Sequence, residues 1–175
     1  HEYNNYLGTI GVKGNRSANF SLQNSDCLLV LGSRLPFAAI GYDVTNFAGT
    51  SKILVVDIDE NELKKNKHQF SNRLIQVNLE IIDFLKQLEI KEIKIDSNWL
   101  YKCRETASSW NVIDENKTTF DYDGISIYHV IEELNRDIYN DASFVVDAGS
   151  ISYVGPTSLR YNNTRNFIFS PAQAD

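Results

Sequence analysis

Two apolar runs constrain this chain more than any other feature. Cys27-Leu-Leu-Val-Leu31 and Ile53-Leu-Val-Val56 carry no polar residue at alternate positions. A strand with one wet face alternates polar and apolar residues; one without alternation is expected to be buried on both faces, as in a parallel sheet covered by helices. Both strands, over 26–31 and 52–57, are therefore read as two-sided core strands. The first ends at Gly32 and the second at Asp57. Open parallel sheets bind ligands at the carboxyl ends of their strands, so these two ends are the first candidate site.

The neighbouring segments extend the pattern. Leu7-Gly-Thr-Ile-Gly-Val-Lys-Gly14 spaces three glycines at intervals of three residues. It reads either as a loop whose amides face an anion, backed by a helix over 16–23, or as a glycine-rich connection. Residues 36–41 read as a loop and 42–47 as a helical turn. A helix is predicted over 60–66, with Asp59 as its cap. Asp57 reads as an acceptor for ribose hydroxyls or as a turn acid. Leu74–Val77 is a third strand. Leu79, Ile82, Leu85 and Leu88 share one face of a helix over 79–88 and are expected to pack inward. The fold class that follows is α/β, part of a doubly wound parallel sheet within 1–95.

From Glu89 to Thr119 the composition turns polar. A connector is assigned to 96–124, with a helix over 98–109 and Trp99, Cys103 and Trp110 as docking residues. A second α/β domain opens over 125–175. Ile127, Val130, Ile131, Leu134 and Ile138 form a helical stripe with Ser126 as its cap. Strands follow at 143–147 and 166–169, separated by a turn of small residues within 148–155 and a helix. Two strands alone cannot bury a core, so exposed edges and self-association are expected.

Composition excludes several functions. Net charge is −6 and no dense basic run exists, which disfavours nucleic acid. No apolar run reaches a membrane-spanning length of about 18 residues. The two cysteines, Cys27 and Cys103, have no metal-ligand spacing and are too few for a disulfide scaffold. A cytoplasmic protein is the expectation.

The order of segments carries a resemblance. Leu7-Gly8, Ala18-Asn-Phe20, Asp26 to Arg34, Gly41, Val56-Asp-Ile-Asp59 and Asn66-Lys67, then Val146-Asp-Ala-Gly149 and Phe169-Ser-Pro-Ala-Gln-Ala-Asp175, stand co-linearly as in the acetolactate synthase-like family of thiamine diphosphate enzymes. The first set resembles the second half of that family's central domain. The second resembles the start of its diphosphate-binding domain. The resemblance implies a larger parent, a transferase or lyase that needs magnesium and acts as a homo-oligomer on pyruvate or another 2-oxo acid. This segment would be inactive by itself, and its partners would be the remaining domains of the parent chain. The family's Gly-Asp-Gly…Asn metal motif would lie beyond Asp175.

Carried over residue by residue, the resemblance assigns Ala148, Gly149 and Ser150 to the cofactor diphosphate and Ala174 to its pyrimidine ring. Ile151 stands where relatives carry a histidine. For FAD, or ADP in its place, it assigns Leu7, Gly8, Gly32, Arg34, Asp57 and Ile58. Ile10, Pro36 and Ala38 depart from the flavin-binding pattern. Beside the enzyme reading stand two others: a nucleotide-binding regulatory module without chemistry, and a structural α/β module.

Overall fold

The computed structural model describes residues 5–88, 96–117, 124–137, 141–160 and 166–169. The chain divides into two compact units. One comprises Ile10–Val12 and Asn19–Leu100; the other comprises His1–Thr9, Lys13–Ala18 and Tyr101–Asp175. Helices and parallel strands make up both, so the α/β class read from the sequence holds.

In the first unit, β1 (Cys27–Leu31), β2 (Lys52–Asp57) and β3 (Leu74–Asn78) form a parallel sheet in sequential order. Leu28 pairs with Ile53 and Val30 with Val55, and Ile53 pairs onward with Leu74. One face thus collects Leu28, Val30, Ile53, Val55 and Leu74. These pack with Leu35, Ile40, Phe47, Leu63 and Phe70 into the unit's core. The last two come from α3 (Glu60–Phe70), which extends four residues past the helix expected from the sequence. The loop expected at 36–41 contains one helical turn, α2 (Phe37–Ile40). A 3-10 turn at Val44–Asn46 matches the helical turn expected there.

The other face of this sheet departs from expectation. Only β2 is central, and only β2 is deeply buried along most of its length. Leu29 of β1 and Ile75 of β3 are 43% and 55% exposed. An uninterrupted apolar run predicts cover on both faces, but cover must come from another element. The helix α4 (Ile81–Gln87) covers part of the sheet through the buried Phe84. The face read as its core stripe turns outward: Ile82, Leu85 and Leu88 are exposed. Cys27, at the head of β1, is exposed as well, whereas Cys103 is buried.

The second unit holds β4 (Ser143–Val146) and β5 (Asn166–Phe169), paired parallel. Around them lie α6 (Val112–Lys117), α7 (Ile127–Asp137) and α8 (Ile151–Ser158). Ile113, Ile131 and Leu159 form the core, with Phe144 and Phe167 of the two strands packed against it. Ser126 accepts a bond from the amide of Tyr128 at 3.3 Å and caps α7 as expected. Ile138 lies outside the described residues.

The stretch read as a connector is largely helical. It contains α5 (Ser97–Ser109), which buries Cys103, and α6. The helix α1 (Arg16–Gln23) follows the predicted bounds. Among the described residues no helix is long and apolar enough to cross a membrane.

Candidate functional site

Because β1, β2 and β3 run parallel, their carboxyl ends meet at one edge of the sheet. Gly32 extends the ladder, its amide bonding the Val56 carbonyl at 2.9 Å. It adopts φ +56°, and a Cβ there would lie 2.7 Å from Cδ1 of Ile81. Glycine is required on both counts, since only it takes positive φ without strain and leaves room for the first turn of α4.

Asp57 ends β2 and is 8% exposed. Its Oδ1 accepts the Asp59 amide at 2.9 Å, which turns the chain out of the sheet. Asp59 Oδ1 then accepts the Asn61 amide at 2.8 Å and starts α3. From β3, the Asn78 amide nitrogen donates to the carbonyls of Asp57 and Ile58, both at 3.0 Å. Short polar side chains thus turn the chain out of β2 and fasten the end of β3 to it.

These ends wall a cavity of about 860 Å³ lined by Gly32, Arg34, Asp57, Ile58, Asp59, Glu62, Glu80, Ile81 and Ile82. Four residues expected from the sequence at a nucleotide site (Gly32, Arg34, Asp57 and Ile58) therefore share one cavity. Ile58 and Ile82 offer it exposed aliphatic surface. Asp59, Glu62, Glu80, Ile81 and Ile82 were not assigned to this site from the sequence. For Glu80, Ile81 and Ile82 the signal was the third parallel strand, whose carboxyl end, followed by α4, must reach the same edge as the other two; Glu62 sits on α3, the helix that follows β2.

The electrostatics are uneven. Arg34 is the one cation among the described lining residues, facing Asp57, Asp59, Glu62 and Glu80. Its Nε donates to Glu62 Oε1 at 2.9 Å. Lys65 donates both to the other Glu62 oxygen and to the Arg34 carbonyl. The Lys65 bond, with that from Arg34 behind it, holds the Glu62 carboxyl below the ordinary glutamate range; partial burial works the other way.

Leu7 and Gly8 belong to the second unit and line another cavity of about 390 Å³, with Tyr6, Asn15 and Arg160 among its walls. Three amides of the glycine-rich segment are engaged within the fold. Thr9 donates to Asn15 Oδ1 at 2.9 Å, Gly11 to Asn19 Oδ1 at 2.8 Å, and Val12 to the Ala38 carbonyl at 2.9 Å.

The turn after β4 is the other small-residue segment singled out from the sequence. Asp147 Oδ1 takes the Ala148 amide at 2.7 Å. Gly149 sits at φ +99° with nothing within 4 Å of where a Cβ would stand. Ser152 donates its amide and hydroxyl back to the Gly149 carbonyl at 3.1 and 2.7 Å. Among the described residues, the amides of Gly149, Ser150 and Ile151 have no acceptor. Exposed, they stand at the start of α8, where backbone donors and the helix dipole favour an anion. The sequence reading placed a helix after a small-residue turn within 148–155. The structure starts the helix at Ile151 and carries it through Pro156. Ala174 lies outside the described residues. Among those described, no group of three or more His, Cys, Asp or Glu could hold a metal ion.

Residues 1–88 match the family model described as thiamine pyrophosphate enzyme, central domain. Among curated proteins, the acetolactate synthase isozyme 2 large subunit of Escherichia coli (strain K12) is 25% identical over 171 residues. That alignment covers 97% of this chain and 29% of the relative. The isozyme 1 large subunit of the same organism is 40% identical over 82 residues, 47% of this chain and 14% of the relative. A probable acetolactate synthase large subunit of Methanococcus aeolicus is 31% identical over 138 residues, 73% of this chain and 22% of the relative. The chain thus spans less than a third of the length of these relatives.

Proposed function

The chain belongs to the thiamine diphosphate-dependent, acetolactate synthase-like family, and on that premise we propose that it forms part of a carboligase or decarboxylase acting on pyruvate or another 2-oxo acid. Its residues 1–95 would be the second half of a central domain, and 125–175 the start of a diphosphate-binding domain. The segment would have no activity without the rest of a longer chain, which would assemble as a homo-oligomer.

The observation that carries this reading is the turn after β4. The open amides of Gly149, Ser150 and Ile151, at a positive-φ glycine and a helix start, fit a diphosphate. The Ser150 hydroxyl adds a donor. Bound thiamine diphosphate would supply the electron sink for loss of carbon dioxide from a 2-oxo acid. The part of this chain would be to hold the diphosphate oxygens, with magnesium held by residues outside it.

The cavity at the strand ends supports a second ligand, FAD or ADP. The second oxygen of the Asp57 carboxylate has no partner among the described residues and suits a ribose hydroxyl. Ile58 and Ile82 suit a planar base. This cavity equally supports the reading of a nucleotide-binding module without chemistry, and activity separates the two.

The test uses the longest chain that the gene encodes. With thiamine diphosphate and magnesium it is expected to release carbon dioxide from pyruvate or another 2-oxo acid. Gly149→Val is expected to weaken cofactor binding. A folded full chain that neither binds thiamine diphosphate nor turns over any 2-oxo acid would overturn the enzyme reading.

A further inference from the structure

We propose that Glu62 is a positioning residue for nucleotide binding, holding Arg34 by its Nε so that the two terminal guanidinium nitrogens stay free for the ligand's phosphates. The proposal rests on the nucleotide reading of the cavity at the ends of β1, β2 and β3.

Three observations support it. First, the Arg34 side chain is 81% exposed while that of Glu62 is 14% exposed. A long side chain in solvent samples many rotamers, and an anchored acceptor in the cavity wall removes most of that freedom. Second, the contact uses Nε alone, at 2.9 Å. Arg34 has no other side-chain partner among the described residues. The terminal pair is therefore left whole, and that pair matches the spacing of phosphate oxygens for two parallel bonds. Third, Glu62 is itself fastened. Lys65, one turn further along α3, holds its second oxygen and also bonds the Arg34 carbonyl. The clasp thus fixes both the guanidinium and the backbone that carries it.

The rest of the lining makes Arg34 the place for the ligand's negative charge. Asp57, Asp59 and Glu80 repel phosphate, so an anion can settle only beside the guanidinium. A ligand with sugar hydroxyls at one end and phosphates at the other meets both requirements.

Calorimetric titration of the full chain with ADP, FAD and adenosine tests this. Glu62→Ala is expected to weaken ADP and FAD by roughly tenfold, the affinity equivalent of letting one long side chain go free. Adenosine, which lacks phosphate, is expected to bind Glu62→Ala as it binds wild type. Glu62→Gln keeps an acceptor for Nε and is expected to recover much of the loss. Arg34→Gln is expected to lose ADP affinity, with no further loss on adding Glu62→Ala. Should Glu62→Ala not fold, Glu62→Asp takes its place, keeping the charge while falling short of Nε, with the same loss expected. If wild type binds ADP and Glu62→Ala binds it equally or more tightly, the positioning role is overturned and the nucleotide site stands. If wild type binds none of the three ligands at millimolar concentration, the nucleotide reading falls and the positioning role falls with it.

Discussion

Ile53 and Ile75 are the same residue on neighbouring strands of one sheet, and replacing each with alanine separates its two faces. Ile53 is 0% exposed and lies in the core with Val30, Val55 and Phe70. Ile75, in register with Leu54, is 55% exposed. Each substitution removes three carbons and the same β-propensity, so differences in strand preference cancel. At about 0.8 kcal/mol per buried methylene, Ile53→Ala loses roughly 2.4 kcal/mol of transfer energy. The cavity left in a closed core brings the cost to about 3–4 kcal/mol. Ile75 gains burial over less than half its surface, and water fills the space it leaves. Its cost is about 1 kcal/mol. Urea unfolding followed by far-UV circular dichroism reads both values, given unchanged slopes. Equal losses would refute the reasoning, because they would mean that the Leu29–Ile75 face is covered in solution. A loss at Ile75 that grows with protein concentration would identify the cover as another copy.

Gly149→Ala meets no steric obstacle but forces a side chain onto φ +99°, so it should cost about 1–2 kcal/mol by backbone strain alone, read as a lowered melting temperature. At Gly155, a Cβ would stand 2.8 Å from Cζ of Phe167; Gly155→Ala should destabilise by displacing that ring, and Phe167→Leu in the same chain should relieve part of the loss. The Glu62 carboxyl is held below its ordinary range by Lys65 and Arg34, so its contribution is complete above about pH 4.3, the unfolded value, and is lost as pH falls through the lower folded value. Wild type should therefore lose stability against Glu62→Gln in acid unfolding below that pH, and parallel curves would refute the pairing. The Lys13 ammonium, seated over the Tyr153 ring, lowers its phenol below the usual value of about 10; one tyrosine should ionise early in a spectrophotometric titration, and Lys13→Gln should return it to the bulk group.

What the sequence determined is local order and the points where it breaks. β2, α1, α5 and β5 follow directly from apolar runs, caps and turn residues, because those signals act within a few residues. Gly32 and Asp57 were legible as a pair, because parallel strands must end at a common edge, while Arg34 and Ile58 came from the family resemblance. Tertiary structure decided which apolar surfaces found partners. Leu29 and Ile82 carry the same hydrophobic signal as Val30 and Phe84, yet they stay exposed, since burial depends on what packs opposite and periodicity does not encode that. Tertiary structure also decided what the polar groups were used for. In the glycine-rich segment the amides of Thr9, Gly11 and Val12 go to Asn15, Asn19 and Ala38, and in the turn at Gly149 that of Ala148 goes to Asp147. The acceptors in the glycine-rich segment lie elsewhere in the chain for Val12 and six or eight residues away for the other two. Glu62 shows the same limit: beside Lys65 it reads as one more charge on a solvated helix, and only the folded sheet edge brings it to Arg34 and the cavity.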